Sequence, residues 1–219
     1  MNNPLTIEYF SDILCVWAWI TQRRIDELTS EFNSKIKLRH RYIDIFGNTS
    51  NKVQSQWRER EGYRGFAQHI RESAAPYTNA PINPGIWINV RPTTSANAHL
   101  VLKAAEIVAG GTGCAELSFK IRKAFFAEAK DISCFSVLYD IAEENALDIK
   151  KIDQCIANGS AMASLMNDYQ MTKKQCIKGS PSFNMNSGRQ TLYGNIGYRI
   201  LKANIDERLH QHLGDASWC

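Results

Sequence analysis

One cysteine stands where a helix must begin. The segment Ser11-Asp12-Ile13-Leu14-Cys15-Val16-Trp17-Ala18-Trp19-Ile20 follows a short β-rich run, Leu5 to Phe10, and places Cys15 against the unpaired N–H groups and positive dipole end of that helix. Such a position favours thiolate over thiol, so Cys15 reads as a nucleophile, with a pKa expected below that of an ordinary cysteine. Exchange with a disulfide takes two steps: attack to give a mixed disulfide, then release by a second thiol. Three residues on, where a redox dithiol carries its second cysteine, stands Ala18. Cys15 can perform the first step, and Ala18 cannot perform the second.

The remaining chemistry-bearing residues read as structural. The six cysteines (15, 114, 134, 155, 176 and 219) are scattered, and no two lie within three residues of each other, which disfavours both a zinc site and a disulfide framework. Cys114, Cys134 and Cys155 fall in helical patterning and read as core cysteines. Cys176, five residues before Pro181, also reads as packing. Asp12 orients the loop or caps the helix, with capping preferred. Trp17 and Trp19 read as core or pocket-wall aromatics. His99 reads as a structural hydrogen-bonding group, His40 and His69 as surface residues, and His210 and His212 as an exposed pair without a third metal ligand.

The elements that must position these residues are legible in the pattern. Leu5–Phe10 and Ile36–Ile43 are strand-like, and the apolar spacing of Trp17, Ile20, Ile25, Leu28 and Phe32 is helical, which together make a parallel βαβ unit. Gln54 to about Ser73 is helix-compatible, and Trp57-Arg58-Glu59-Arg60-Glu61-Gly62-Tyr63-Arg64 reads as the solvated face of that helix. Prolines 76, 81, 84 and 92 punctuate an irregular stretch. Thr94 or Ser95 then caps a helix over 96–109 that Gly110-Gly111 ends. Further helices are expected over 114–128, after Asp131-Ile132-Ser133, near 151–157 and over 161–174. Ser182–Met185 and Gln190–Tyr193 form a hairpin across Asn186–Arg189, and a last helix runs from about Gly197 to His212.

In 219 residues the formal charge is +4, with both signs interleaved, so a nucleic-acid footprint is not expected. No run approaches a membrane span, and the amino terminus lacks the pattern of a signal peptide, so a cytoplasmic protein is expected.

The order βαβ, helical insertion, ββα resembles the thioredoxin-fold proteins of the DsbA type. The closest resemblance is to the FrnE-like oxidoreductases and their relatives, the kappa-class glutathione transferases and 2-hydroxychromene-2-carboxylate isomerases. Three segments carry it across residues 5 to 212: Asp12–Trp19, similar to D-x-x-C-P-W-C with Val16 for proline and Ala18 for the second cysteine; Ser95-Ala96-Asn97-Ala98-His99, similar to N-T-x-x-A-H; and Ile177-Lys178-Gly179-Ser180-Pro181-Ser182-Phe183, similar to G-V-P-T-F. The fold expected is therefore α/β, a thioredoxin-like βαβ…ββα with a large all-helical insertion. Residues 1–48 and 176–213 would form the thioredoxin-like part, 49–175 the insertion and 214–219 a flexible tail.

The resemblance implies that Pro181 is a cis-proline facing Cys15, and that the backbone of Ser180 pairs with an extended peptide or glutathione, as in strand addition. It implies a thiol-disulfide oxidoreductase working through Cys15 alone on protein or small-molecule disulfides or electrophiles. Glutathione would be a co-substrate, and no cofactor would be tightly bound. Ligand contacts fall to Trp17, Ala18, Ser180, Pro181 and Asn195, with Asp12 in support. Resolution of a mixed disulfide falls to glutathione or to Cys219 beside Trp218. Otherwise Cys15 does no redox chemistry and holds the glutathione sulfur, or acts in an isomerase. The relatives carry D-V-L-S-P-Y-S-W at this segment, which keeps a kappa-like transferase or chromene isomerase as an alternative. Here the turn after the last strand, Gly194-Asn195-Ile196-Gly197, lacks the acidic side chain of those enzymes. A redox-silent binding module is a further alternative, and a homodimer is compatible with the sequence.

Overall fold

β1 (Leu5–Ser11) and β2 (Ile36–Tyr42) pair in parallel, from Leu5 beside Ile36 to Ser11 beside Tyr42, because α1 (Val16–Phe32) carries the chain back between them. This computed structural model describes residues 3–210. After six helices the chain returns as β3 (Ser182–Met185) and β4 (Gln190–Tyr193), an antiparallel hairpin whose first strand adds to β1. The sheet order is β2-β1-β3-β4, and the element order is the expected βαβ, helices, ββα.

The helices between are α2 (Thr49–Trp57), α3 (Tyr63–Ala74), α4 (Ala96–Phe126), α5 (Phe135–Glu144), α6 (Ile149–Ala157) and α7 (Ser160–Lys174), and α8 (Tyr198–His210) follows the hairpin. α4 breaks at Gly110, whose φ of 77° and ψ of −178° no helix contains. Its two arms fold back on each other: the Cys114 thiol donates to the Leu102 carbonyl at 3.4 Å, whereas twelve residues of straight helix span about 18 Å. The expected stop at Gly110-Gly111 is therefore a hairpin of helices.

Two apolar clusters result. One joins Ile7, Tyr9, Phe183 and Met185 of the sheet to Ile25, Leu28 and Phe32 of α1 and Leu201 and Ile205 of α8. The larger one fills the helical insertion around Trp87, Leu102, Leu117 and Phe125, and it also takes Ile13, Leu14, Cys15, Ala18 and Trp19. The head of α1 is thus packed by the insertion. The Pro-rich stretch is built into this core: Ala80, Ile86 and Trp87 are buried, and the Trp19 indole donates to the Pro81 carbonyl at 3.2 Å.

Several expectations fail for identifiable reasons. The single helix over 54–73 is two, because Glu61 takes a left-handed conformation (φ 59°) and the chain turns there. Trp57 then meets Phe66 at 5.3 Å, and Arg60 lies over the Trp57 ring, so this charged cluster is a corner rather than a helix face. His40 is buried, not at the surface, because it lies in phase with Ile36, Leu38 and Tyr42 on the side of β2 that the far arm of α4 covers. Cys134 is exposed as the residue capping α5, Cys176 is also exposed, and Cys155 is half-buried, so of the three expected core thiols Cys114 alone is one. His212 and residues 214–219, with Trp218 and Cys219, lie outside the described residues. Among the described residues no helix is long and apolar enough to cross a membrane, and no cluster of three or more His, Cys, Asp or Glu is placed to hold a metal.

Candidate functional site at the head of the first helix

Cys15 caps α1 with an extended backbone (φ −78°, ψ 117°), which turns its sulfur toward the N–H groups of Trp17 and Ala18. The sulfur lies 3.3 Å from the Ser180 carbonyl, to which the thiol donates, and the Ser180–Pro181 bond is cis. The cis linkage swings that carbonyl toward the helix head, and Gly194 N–H holds the Pro181 carbonyl at 2.9 Å to tie the loop to β4. Gly179 lets the Tyr193 ring lie close over the loop: a Cβ there would come within 2.9 Å of the ring, which would have to move aside. Cys15, Ala18, Ser180 and Pro181 are therefore brought together, the Cys15 and Ser180 partners being 165 residues apart in sequence.

Asp12 does not cap α1. Its carboxylate is fully buried; Oδ1 accepts from Leu14 N–H at 2.9 Å, and Oδ2 accepts from Ile45 N–H at 3.0 Å, Phe46 N–H at 2.9 Å and the Ser95 hydroxyl at 2.9 Å. Its own N–H donates to the Ser180 hydroxyl at 3.0 Å. It is thus the node that fastens the β1–α1 loop to the β2–α2 loop, to α4 and to the cis-proline loop. Ser95, expected as a helix cap, instead donates to Asp12, and the Thr94 hydroxyl takes the Ala96 N–H. His99 accepts from Ile13 N–H through Nε2 at 3.1 Å, so it is neutral with its proton on Nδ1, and burial pushes its pKa down. Asp12 and the Ser95–His99 segment act as one support, a link that sequence spacing does not reveal.

Asn195 reaches the rim from the turn after β4. Its side-chain oxygen accepts from Arg24 at 2.5 Å, and its amide donates to the Tyr77 hydroxyl at 2.7 Å, with the Arg24 guanidinium 5.7 Å from the Tyr77 ring. Arg24 and Tyr77 were not singled out from sequence, because each is one polar residue among many on α1 and on the Pro-rich loop. Trp17 is half-buried, while Val16, Ala18 and Trp19 are buried. Cys176 opens on a separate cavity, of about 680 Å³, with Glu8, Met171, Lys174 and Asn184.

The expected acidic sulfur is overturned. Burial pushes the Cys15 thiol up; Ser180 and the N–H groups of Ala18 and Trp17 pull it down only in part, and the Asp12 carboxylate adds to the rise. With Cys15 only 7% exposed, desolvation outweighs the helix end. In iodoacetamide labelling followed by mass spectrometry, the Cys15 midpoint should therefore lie above the free-thiol value of about 8.5. A midpoint below that value would restore the acidic nucleophile.

A cysteine at a helix head, facing a cis-proline across a β2-β1-β3-β4 sheet, defines a protein of the thioredoxin fold. A family model described as Thioredoxin matches residues 9–198, and the chain belongs to that family. Among curated proteins it is 24% identical to the ClpXP adapter protein SpxH of Halalkalibacterium halodurans, over 83% of this chain and 58% of that one. It is 24% identical to SpxH of Bacillus subtilis, over 98% and 69%. The chain thus spans little more than half the length of the first of these relatives. Among solved structures it is similar to the cytosolic disulfide reductase DsbM of Pseudomonas aeruginosa with GSH, with a TM-score of 0.70 and 20% identity, over 94% of this chain and 100% of that one.

Proposed function

We propose that this protein is a monothiol oxidoreductase that uses Cys15 to exchange glutathione with protein or small-molecule disulfides in the reducing cytoplasm. The carrying observation is the Cys15 sulfur held 3.3 Å from the carbonyl before cis-Pro181, with the buried methyl of Ala18 where a resolving thiol would stand. In the proposed cycle Cys15 first loses its proton to solvent. The thiolate then attacks the glutathionyl sulfur of a mixed disulfide: a Cys15–glutathione S–S bond forms, the substrate S–S bond breaks, and the substrate leaves as a thiol after taking a proton. A second glutathione thiolate attacks the adduct, restoring Cys15 and releasing oxidised glutathione. Entry of the peptide turns the Ser180 carbonyl from the thiol to a backbone N–H of the ligand, with Trp17 and Pro181 as walls. Asn195, between Arg24 and Tyr77, meets a charged end of the ligand. A raised thiol pKa makes this exchange slow at neutral pH and faster as pH rises.

The test is intact-mass analysis after incubation with oxidised glutathione. A single adduct that maps to Cys15 and is lost in Cys15→Ser supports the reading. A folded protein that stays unmodified at Cys15 rejects it. The buried, protonated sulfur favours a second reading, a thioredoxin-fold binding module without turnover, with which relatives named as adapters are consistent. Partner binding that survives Cys15→Ala, together with no adduct, is its signature.

A further inference from the structure

Arg122, on the second arm of α4, is fully buried, and among the described residues no carboxylate lies within ion-pairing distance. Its Nη1 donates to the Ser118 hydroxyl and its Nη2 to the Ser11 hydroxyl, both at 2.8 Å, while its Nε–H has no partner. A guanidinium has five N–H donors, and two neutral hydroxyls are poor compensation for its buried charge.

The surroundings repeat the pattern. Tyr9 and Ser11 share one face of β1, and the register sets His40 and Tyr42 beside them on β2. Cys114, Ser118 and Arg122, one face of the helix arm, roof this patch: the Tyr42 hydroxyl meets the Cys114 sulfur at 3.4 Å. The Tyr9 and His40 rings stand edge-on with centroids 5.5 Å apart, yet both His40 nitrogens lack hydrogen-bond partners, and the buried Tyr9 hydroxyl approaches Ser11 without a hydrogen bond of ordinary geometry. Burial, reinforced by Arg122 and Lys103, drives the His40 pKa down to about 3, so the ring is neutral. The layer therefore offers one cation and several donors, and no negative charge of its own. A cavity of about 350 Å³ between β2 and the α4 bend borders the layer, with His40 and Cys114 in its wall and Arg122 and Tyr9 behind them. Lys37 and Arg39 stand there on the exposed side, and the one carboxylate, Glu106, is held by Lys103.

We infer that Arg122, Tyr9 and His40 hold a small monovalent inorganic anion as a structural ligand of the β1–β2–α4 layer. Donors outnumber acceptors here, which suits an anion better than water, whose own hydrogens need acceptors. One guanidinium matches one negative charge. The site stands apart from any exchange at Cys15.

Thermal melting of the full chain in sodium chloride and in sodium gluconate, at one ionic strength, tests the inference. For a dissociation constant of about 10 mM, about 0.3 M chloride should raise Tm by about 4–8 °C. Tyr9→Phe and His40→Phe, which remove donors and keep ring volume, should each shrink that rise. Crystals containing bromide should show its anomalous signal beside Arg122. Equal melting in both salts overturns the inference, as does a chloride rise that persists unchanged in both variants. A stabilisation found only with phosphate or sulfate would place the ion at Lys37 and Arg39 on the surface, and would overturn it equally.

Discussion

Asp12→Ala is expected to destabilise the fold by about 3–5 kcal/mol, since each buried donor left unpaired costs about 1–3 kcal/mol and the losses are not fully additive. The substitution orphans three backbone N–H groups, of Leu14, Ile45 and Phe46, and the Ser95 hydroxyl. It also frees the loop that presents Cys15, so glutathione-adduct formation should fall further than the folded fraction alone explains. Asp12→Asn can set its amide oxygen in the place of Oδ2 and keep the bonds from Ile45, Phe46 and Ser95, leaving only the Leu14 N–H against the NH₂, and should recover most of the loss. Urea denaturation measures the first effect, and adduct yield under conditions where the variant is folded measures the second. A loss below about 1 kcal/mol would show that Asp12 is not the node its contacts describe.

Asp168→Leu should cost a similar amount for a different reason. Asp168 is fully buried on α7, accepts from Arg41 at 2.7 Å and from Tyr42 N–H at 3.1 Å, and pairs with Lys103 at 3.1 Å. Arg41 also pairs with Glu8 at 2.8 Å, and Lys103 with Glu106. Removing the shared carboxylate leaves Lys103 and Arg41 buried with one partner fewer each, and breaking such a pair typically costs about 3–5 kcal/mol. Because the pairs clamp α7 and α4 to the end of β2, the loss should appear as a lower midpoint in one cooperative unfolding transition. Asp168→Asn, whose single acceptor oxygen can serve either Arg41 or the Tyr42 N–H but not both, should fall between the wild type and the leucine variant. A wild-type midpoint in Asp168→Leu would mean that solvent reaches these cations.

How far the sequence could be read depends on the range of the interactions. Breaks at Gly110 and after β3 were legible because left-handed backbone and turn residues act within a few positions. The corner at Glu61–Gly62 was not, because it forms when Trp57 and Phe66 meet across it. His40 was misread for a related reason: it lies in phase with Ile36, Leu38 and Tyr42 on the apolar side of β2, but a polar ring at that position reads as exposed until the far arm of α4 covers it. Asp12 was correctly singled out but given a local partner, when its partners lie on three distant segments.

By itself, the sequence determined the βαβ…ββα order, the helical insertion and a lone cysteine at a helix start, because these follow from short-range periodicity and residue identity, while the meeting of that cysteine with Gly-Ser-Pro was implied only by the family resemblance. The tertiary structure decided the state of that cysteine. The dipole and N–H groups at the head of α1 belong to one helix and can be read from one segment, and they favour thiolate. The desolvation that outweighs them is a sum over Ile13, Leu14, the β2–α2 loop, the insertion and the cis-proline loop, and it exists only once those parts close around Cys15.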